Sequence, residues 1–226
     1  MHTAFSLSIY FPVTKTGKVV GDVQVHDQAE QLNPELPPES AAERVHMDHP
    51  DAPRILGEAI AEFAQPLAAT ADALVVLCIG TDRSIGDALG PLIGSALQDC
   101  PGPVKVLGTL DEPVHAGNLA CTVEQVQAAY RRPFIIAVDA CLGREESVGT
   151  LTVGRGTLRP GAGVNKTLPP VGDIFLHGVV NVGGFMEYFV LQNTRLGFVY
   201  RMARVAAAGI QVGLQKVLPP GRRPRE

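Results

Sequence analysis

The chain has 226 residues, of which 46% are hydrophobic and 19% charged, and its 19 Lys and Arg against 23 Asp and Glu leave a net charge of −4. That length suits one sizeable domain with an appended segment, and the acidic balance argues against a nucleic-acid partner, which calls for a concentrated basic face. The four cysteines (Cys78, Cys100, Cys121, Cys141) are spread out, with no C-x-x-C pair. This argues against a disulfide framework or a zinc ribbon. The opening "MHTAFSLSIYFPVTKTGK" lacks a basic n-region and a long apolar stretch. No apolar run approaches the roughly 20 residues needed to span a bilayer, so a cytoplasmic protein with no membrane partner is expected.

Residues 1–70 read as a polar, proline-rich arm, typified by "VHDQAEQLNPELPPESAAERVHMDHPDAPR", whose pattern cannot bury a face. Near its end, Ile55, Leu56, Ile60, Phe63 and Leu67 recur at helical spacing and predict a docking helix over 54–67. Residues 71–215 alternate short apolar runs with helical patterns, the texture of a parallel sheet covered by helices. Strands are predicted at 73–79, 104–107, 134–138 and 151–153, and helices at 87–97, 122–130 and 194–214. Residues 216–226, ending "PPGRRPRE", form a basic tail.

In such a sheet, ligands bind beyond the carboxyl ends of the strands. The polar residues directly after apolar runs are therefore the candidates: Asp82 and Asp87 in "GTDRSIGD", Asp139 in "VDACLGR" and His177 in "LHGVVNVGG". Each has a plain structural reading, since Asp139 could cap a turn, Asp87 could be an ordinary helix-opening acid and His177 a satisfied strand-end residue. Their convergence on one sheet edge favours chemistry. Two carboxylates and an imidazole could hold a divalent metal ion; alternatively, two aspartates could share a proton and activate water. At a helix N-terminus, Asp87 is expected to keep a low pKa. Arg83 is expected to pair with Asp82 or another acid. The loop 158–178, rich in glycine and proline, places Asn165 and Lys166 where they could touch substrate. The glycines after the first strand do not fit G-x-G-x-x-G and no G-K-[ST] follows, so a nucleotide cradle is unsupported. Cys141 reads as a structural thiol.

Taken together, "CIGTDRSIGDALGPLIGSAL", "DEPVHAGNL", "VDACLGR", "GTLTVGRGTLRPGAGVNKTLPPVGD" and "HGVVNVGGFMEYFVLQNTRLGFVYRMA" resemble, in order, the sporulation proteins of the YyaC family, which are related to the spore germination protease. The resemblance covers about 74–213. A more distant similarity is to the hydrogenase maturation endopeptidases. Both resemblances imply a three-layer α/β/α sandwich with a mainly parallel sheet, of the phosphorylase/hydrolase type. The germination protease implies Asp87 and Asp139 as a catalytic pair. The hydrogenase endopeptidases imply Asp87, Asp139 and His177 round a metal-recognition site, although Asp87 is one methylene shorter than the glutamate usual there.

The function expected is an endopeptidase of sporulation or germination, acting inside the forespore or spore on a protein or peptide substrate, with a homo-oligomer admitted. The alternative is a non-catalytic spore assembly protein that keeps the site geometry. A nucleoside-processing enzyme on the same fold is disfavoured because the chain has no tryptophan to stack a purine.

Overall fold

In the computed structural model, which describes residues 42–100, 103–160 and 168–218, the alternating texture becomes a six-stranded mixed sheet flanked by helices. Asn165 and Lys166, the chain before residue 42 and the tail after 218 lie outside the described residues. The strands are β1 (Ala42–His46), β2 (Ala73–Cys78), β3 (Val104–Leu107), β4 (Pro133–Gly143), β5 (Thr150–Arg155) and β6 (Ile174–Val182). They lie in the order β1-β5-β6-β4-β2-β3. β2, β3, β4 and β6 pair in parallel, whereas β5 runs antiparallel to both β6 and β1.

β2 shows why the centre forms. Its run "ALVVLC" is apolar on both faces, as a parallel strand covered on both sides requires. Leu74, Val76 and Cys78 join the larger core cluster, and Val75 and Leu77 the smaller one. The larger core is closed by α1 (Ala52–Ala68), α2 (Leu89–Leu97) and α5 (Leu196–Val217). Their buried residues Leu56, Ile60, Ile93, Met202, Ala206 and Ile210 all fall within it. The smaller core takes Leu119 and Val126 from α3 (Leu119–Ala129). Helices therefore lie on both faces of the sheet, and the fold is α/β. A short α4 (Glu187–Gln192) precedes α5.

From β2 the chain crosses through α2 on one face to β3, then returns through α3 on the opposite face to β4. The crossovers diverge between β2 and β4. This divergence is the topological switch point, where a crevice opens beyond the carboxyl ends of the strands.

The structure departs from the sequence reading in three places. The polar arm expected over residues 1–70 gives way at Ala42 to β1, which pairs along its whole length with β5, whereas the docking helix expected over 54–67 is α1, with Leu56, Ile60 and Ala64 fully buried. β1 escaped notice because an edge strand buries one face only, and here that leaves Val45 buried between exposed Arg44 and His46. β4 runs past the end expected for it, and β6 takes over the end of the expected 158–178 loop, so Asp139 and His177 sit inside strands and not after apolar runs. The helix expected from residue 87 is a short 3₁₀ turn, Gly86–Ala88, followed by α2.

Ile60 tests whether α1 belongs to the domain. Ile60→Ala is expected to cost about 2–5 kcal/mol, as for a fully buried aliphatic side chain, and to lower the urea midpoint accordingly. An unchanged midpoint would return α1 to a loose arm.

Candidate active site

The turn that carries Asp87 is held by backbone lying against backbone. Gly80 has φ +150, and a Cβ on it would strike the Asp87 carbonyl; one on Gly90 would strike the carbonyl of Ile79. Only glycine lets α2 seat this closely on the end of β2. The loop is then closed by hydrogen bonds from Gly80 N–H to Val114 O at 2.8 Å and from Thr81 N–H to Asp87 O at 3.1 Å. Leu191 of α4 packs over Gly86 beside it.

Across the switch point stands Asp139, in β4. One of its carboxylate oxygens accepts the Ala140 N–H at 2.8 Å. The residue keeps part of its surface open to solvent while its carboxyl is desolvated, as on the floor of a cleft. Burial first, and the nearby Asp87 charge second, push the Asp139 carboxyl up to about 8, against partial relief from the Ala140 amide. Asp87 is raised too, by burial, which overturns the low pKa expected for a helix-opening acid. It precedes α2 on a 3₁₀ turn, where the helix dipole gives little, and desolvation prevails. Ser84 eases part of that burden without meeting hydrogen-bond geometry, so its buried Oγ has no partner among the described residues. Asp139 thus senses the Asp87 charge, although burial is the larger cause of its shift.

His177 is the register partner of Asp139 on the neighbouring strand β6, and aligned residues of paired strands project from the same face. It is 8% exposed. Its ring stacks on Phe175 at 5.4 Å between centroids and 7° between planes. Burial, with the Arg44 charge second, pushes the imidazole down to about 4, so it is neutral at neutral pH. Among the described residues, no three His, Cys, Asp or Glu side chains are placed to hold an ion. Asp87, Asp139 and His177 therefore do not assemble as the expected metal set, because the imidazole is stacked along β6 while Asp87 stands on the turn beyond β2.

Asp82 and Arg83 are both exposed on the turn, and they form no ion pair with each other or with another described residue. Arg83 is tied in through its backbone, which donates N–H to Thr81 Oγ1 at 3.3 Å. Cys141, on the Asp139 face, has its thiol pushed up to about 12 by burial and by Asp139, which leaves it inert as a nucleophile. Sequence reasoning also passed over Arg44, hidden in what read as arm, whose charge adds to the lowering of His177. The only signal was the period-two alternation of Val45 and Met47 about His46.

An α/β sheet with a buried pair of acids at its switch point is the class of protein that the fold and site define. The chain belongs to the family described as "Protein of unknown function (DUF1256)", whose model matches residues 44–209. It is 55% identical over 140 residues to the "Uncharacterized protein YyaC" of Bacillus subtilis (strain 168), across 62% of this chain and 68% of that protein. A partial structural likeness is to the NiFe hydrogenase maturation protease HycI from Thermococcus kodakarensis KOD1. It has 16% identity and a TM-score of 0.42, covering 65% of this chain and 97% of that one. No helix among the described residues is long and apolar enough to cross a membrane.

The proton held by Asp139 makes a stability prediction. The folded state keeps it from the ordinary value of 3.8 up to about 8, while the unfolded chain gives it up near 3.8, so the native state binds more protons in that window and stability falls as pH rises through it. Asp139→Asn is expected to melt with wild type near pH 4 and above it at pH 8 and beyond, by roughly 2–4 °C for each kcal/mol released in a domain of this size. Parallel thermal melts across pH check this; a variant that melts lower at pH 8 would mean that Asp139 is a structural cap.

Proposed function

We propose that this chain is a peptidase in which Asp87 and Asp139 act as an acid–base pair that hydrolyses a peptide bond. One observation carries the reading: two carboxyls stand at the switch point near enough for the Asp87 charge to reach Asp139, which burial pushes up to about 8, while burial raises Asp87 as well. Such a pair supplies one group of each kind at neutral pH. Ionised Asp87, more basic than an ordinary carboxylate, takes a proton from water as its oxygen bonds to the peptide carbonyl carbon. Protonated Asp139 donates its proton to the amide nitrogen as the C–N bond breaks. Exchange with solvent then returns the proton on Asp87 and restores the one lost from Asp139.

The finer assignment rests on the sequence similarity to sporulation proteins related to the germination protease. The substrate in this reading is a protein or peptide of spore formation or germination, met inside the forespore or spore. Asp82 and Arg83 on the exposed turn, with Asn165 and Lys166 in the sequence between β5 and β6, are its substrate contacts in this reading.

The test is cleavage of an unfolded protein such as casein and of a mixed peptide library, followed by mass spectrometry over about pH 5 to 9, with and without divalent metal. Asp87→Asn and Asp139→Asn are each expected to lower kcat by about 10²–10⁴-fold, and the double variant scarcely further, as groups acting as a unit do. The wild-type rate should fall above about pH 8, where Asp139 loses its proton. A wild type that cleaves nothing across the range sinks the peptidase reading and favours an assembly role.

A further inference from the structure

The turn between β2 and α2 carries a hydroxyl that nothing around it uses. Ser84 is 5% exposed, and its Oγ, cut off from solvent, has no hydrogen-bond partner among the described residues. A buried polar atom left unpaired is uncommon and needs a reason. Packing supplies none, since alanine would fill almost the same space with no polar atom to desolvate.

The spacing points to the group that the hydroxyl serves. Ser84, Ile85, Gly86 and Asp87 spell S-x-x-D ahead of the apolar α2, the pattern of a capping box. In a closed box the serine oxygen accepts the N–H three residues on, and the acid there is drawn back onto the serine N–H. Here the box stays open: Ser84 Oγ is unpaired, and the Asp87 carboxyl feels that hydroxyl and no backbone amide. The chain between the two residues is helical, with Ala88 N–H closing on Ile85 O at 3.2 Å. Residues three apart on such a tight turn eclipse, which sets the hydroxyl beside the carboxyl.

Among the described residues nothing else is placed to steady this acid. The elements packed on the turn are β4, α2, α4 and α5. α2 has no titratable side chain. On β4, Asp139 is itself an acid, and the Cys141 thiol is held neutral. Glu187 of α4 accepts the Gly184 N–H at 3.1 Å. Arg201 of α5 lies 3.9 Å from Asp48, and Lys216 lies 3.5 Å from Glu58. Neither these groups nor the exposed Asp82 and Arg83 of the turn shift Asp87.

We propose that Ser84 is a positioning residue for Asp87, its hydroxyl turning to hydrogen-bond the carboxyl when the crevice takes up substrate. A hydroxyl serves both states of the acid: it donates to ionised Asp87, and it accepts the O–H of Asp87 once that group has taken a proton from water. A backbone amide only donates, so a closed capping box would oppose the second state. The role rests on the peptidase reading for its reaction, while the contact itself is measurable without turnover.

The experiment follows the aspartate carboxyls of the full chain, labelled with carbon-13, by NMR across pH, with Asp87→Asn assigning the Asp87 signal. In Ser84→Ala the Asp87 midpoint is expected to rise by about one to two pH units, the worth of a hydrogen bond to a charged group. Ser84→Thr keeps the hydroxyl and should restore most of the wild-type value. Thermal melts confirm that each variant is folded. In the peptide-library assay Ser84→Ala should lower kcat by about 10-fold with KM unchanged, and the acidic limb of the rate profile should move up with the Asp87 midpoint. A midpoint that Ser84→Ala leaves in place overturns the inference, as does one that a folded Ser84→Thr fails to restore. Cleavage by wild type with an Asp87 midpoint indifferent to Ser84 would reject the contact and keep the peptidase; a Ser84-dependent midpoint in a chain that cleaves nothing would keep the contact and reject the peptidase.

Discussion

Everything at the site depends on how closely α2 approaches the end of β2. Gly90 lies against the Ile79 carbonyl and Gly80 against that of Asp87, so the helix has no room to slide or lift. This contact fixes Asp87 relative to the sheet, and the sheet fixes Asp139. A single added methyl at Gly90 would strike backbone, which has no rotamer to yield. The two carboxyls would then separate although neither had been altered. Distance between them matters because the Asp87 charge adds to burial in raising the Asp139 carboxyl.

That shift works against stability. A carboxyl that must keep a proton well above its ordinary range is desolvated without a cation to offset it, and the fold carries the cost at the pH where it works. The surrounding design tolerates this because the acids sit at the rim of a sheet whose centre is packed on both faces. Leu74, Val76, Ile136, Val138 and Leu176 lie in the core behind them on one side, with Val75, Leu77, Ile135 and Ala137 on the other. Sites that bind and react are commonly held in such a locally unfavourable state by a stable frame.

How far the sequence could be read follows from what each element buries. β2 ended one residue short of its apolar run, because a strand covered on both faces is apolar throughout; β3 kept the bounds expected for it although, as an edge strand, it leaves Lys105 exposed. β4 was cut short, and β6 was read as the end of a loop, because a polar side chain inside a strand looks the same, in one dimension, as the polar residue that ends one. Asp139 and His177 could be picked out as special, and their adjacency on neighbouring strands could not, since it depends on a register that no local pattern encodes. β1 hid for the opposite reason: with half its residues facing water it resembled the polar chain around it, and Arg44 was lost with it. The pKa expected of Asp87 failed because a helix dipole is visible in sequence, whereas desolvation is a property of what packs above.

The pairing of β1 with β5 joins stretches of chain more than a hundred residues apart, as the His46 to Val148 contact shows. α1 likewise leans on α5, whose Lys216 reaches Glu58 at 3.5 Å. Two of the earliest described elements therefore find their partners only after a hundred or more intervening residues. Contacts of such long range close late, since loop entropy must be overcome before they form. During synthesis α1 would leave the ribosome with its apolar stripe uncovered until α5 followed. The central unit from β2 to β4 carries its own local crossovers and is placed to fold first, which makes the acid pair an early feature of the molecule and the Arg44 end of the sheet a late one.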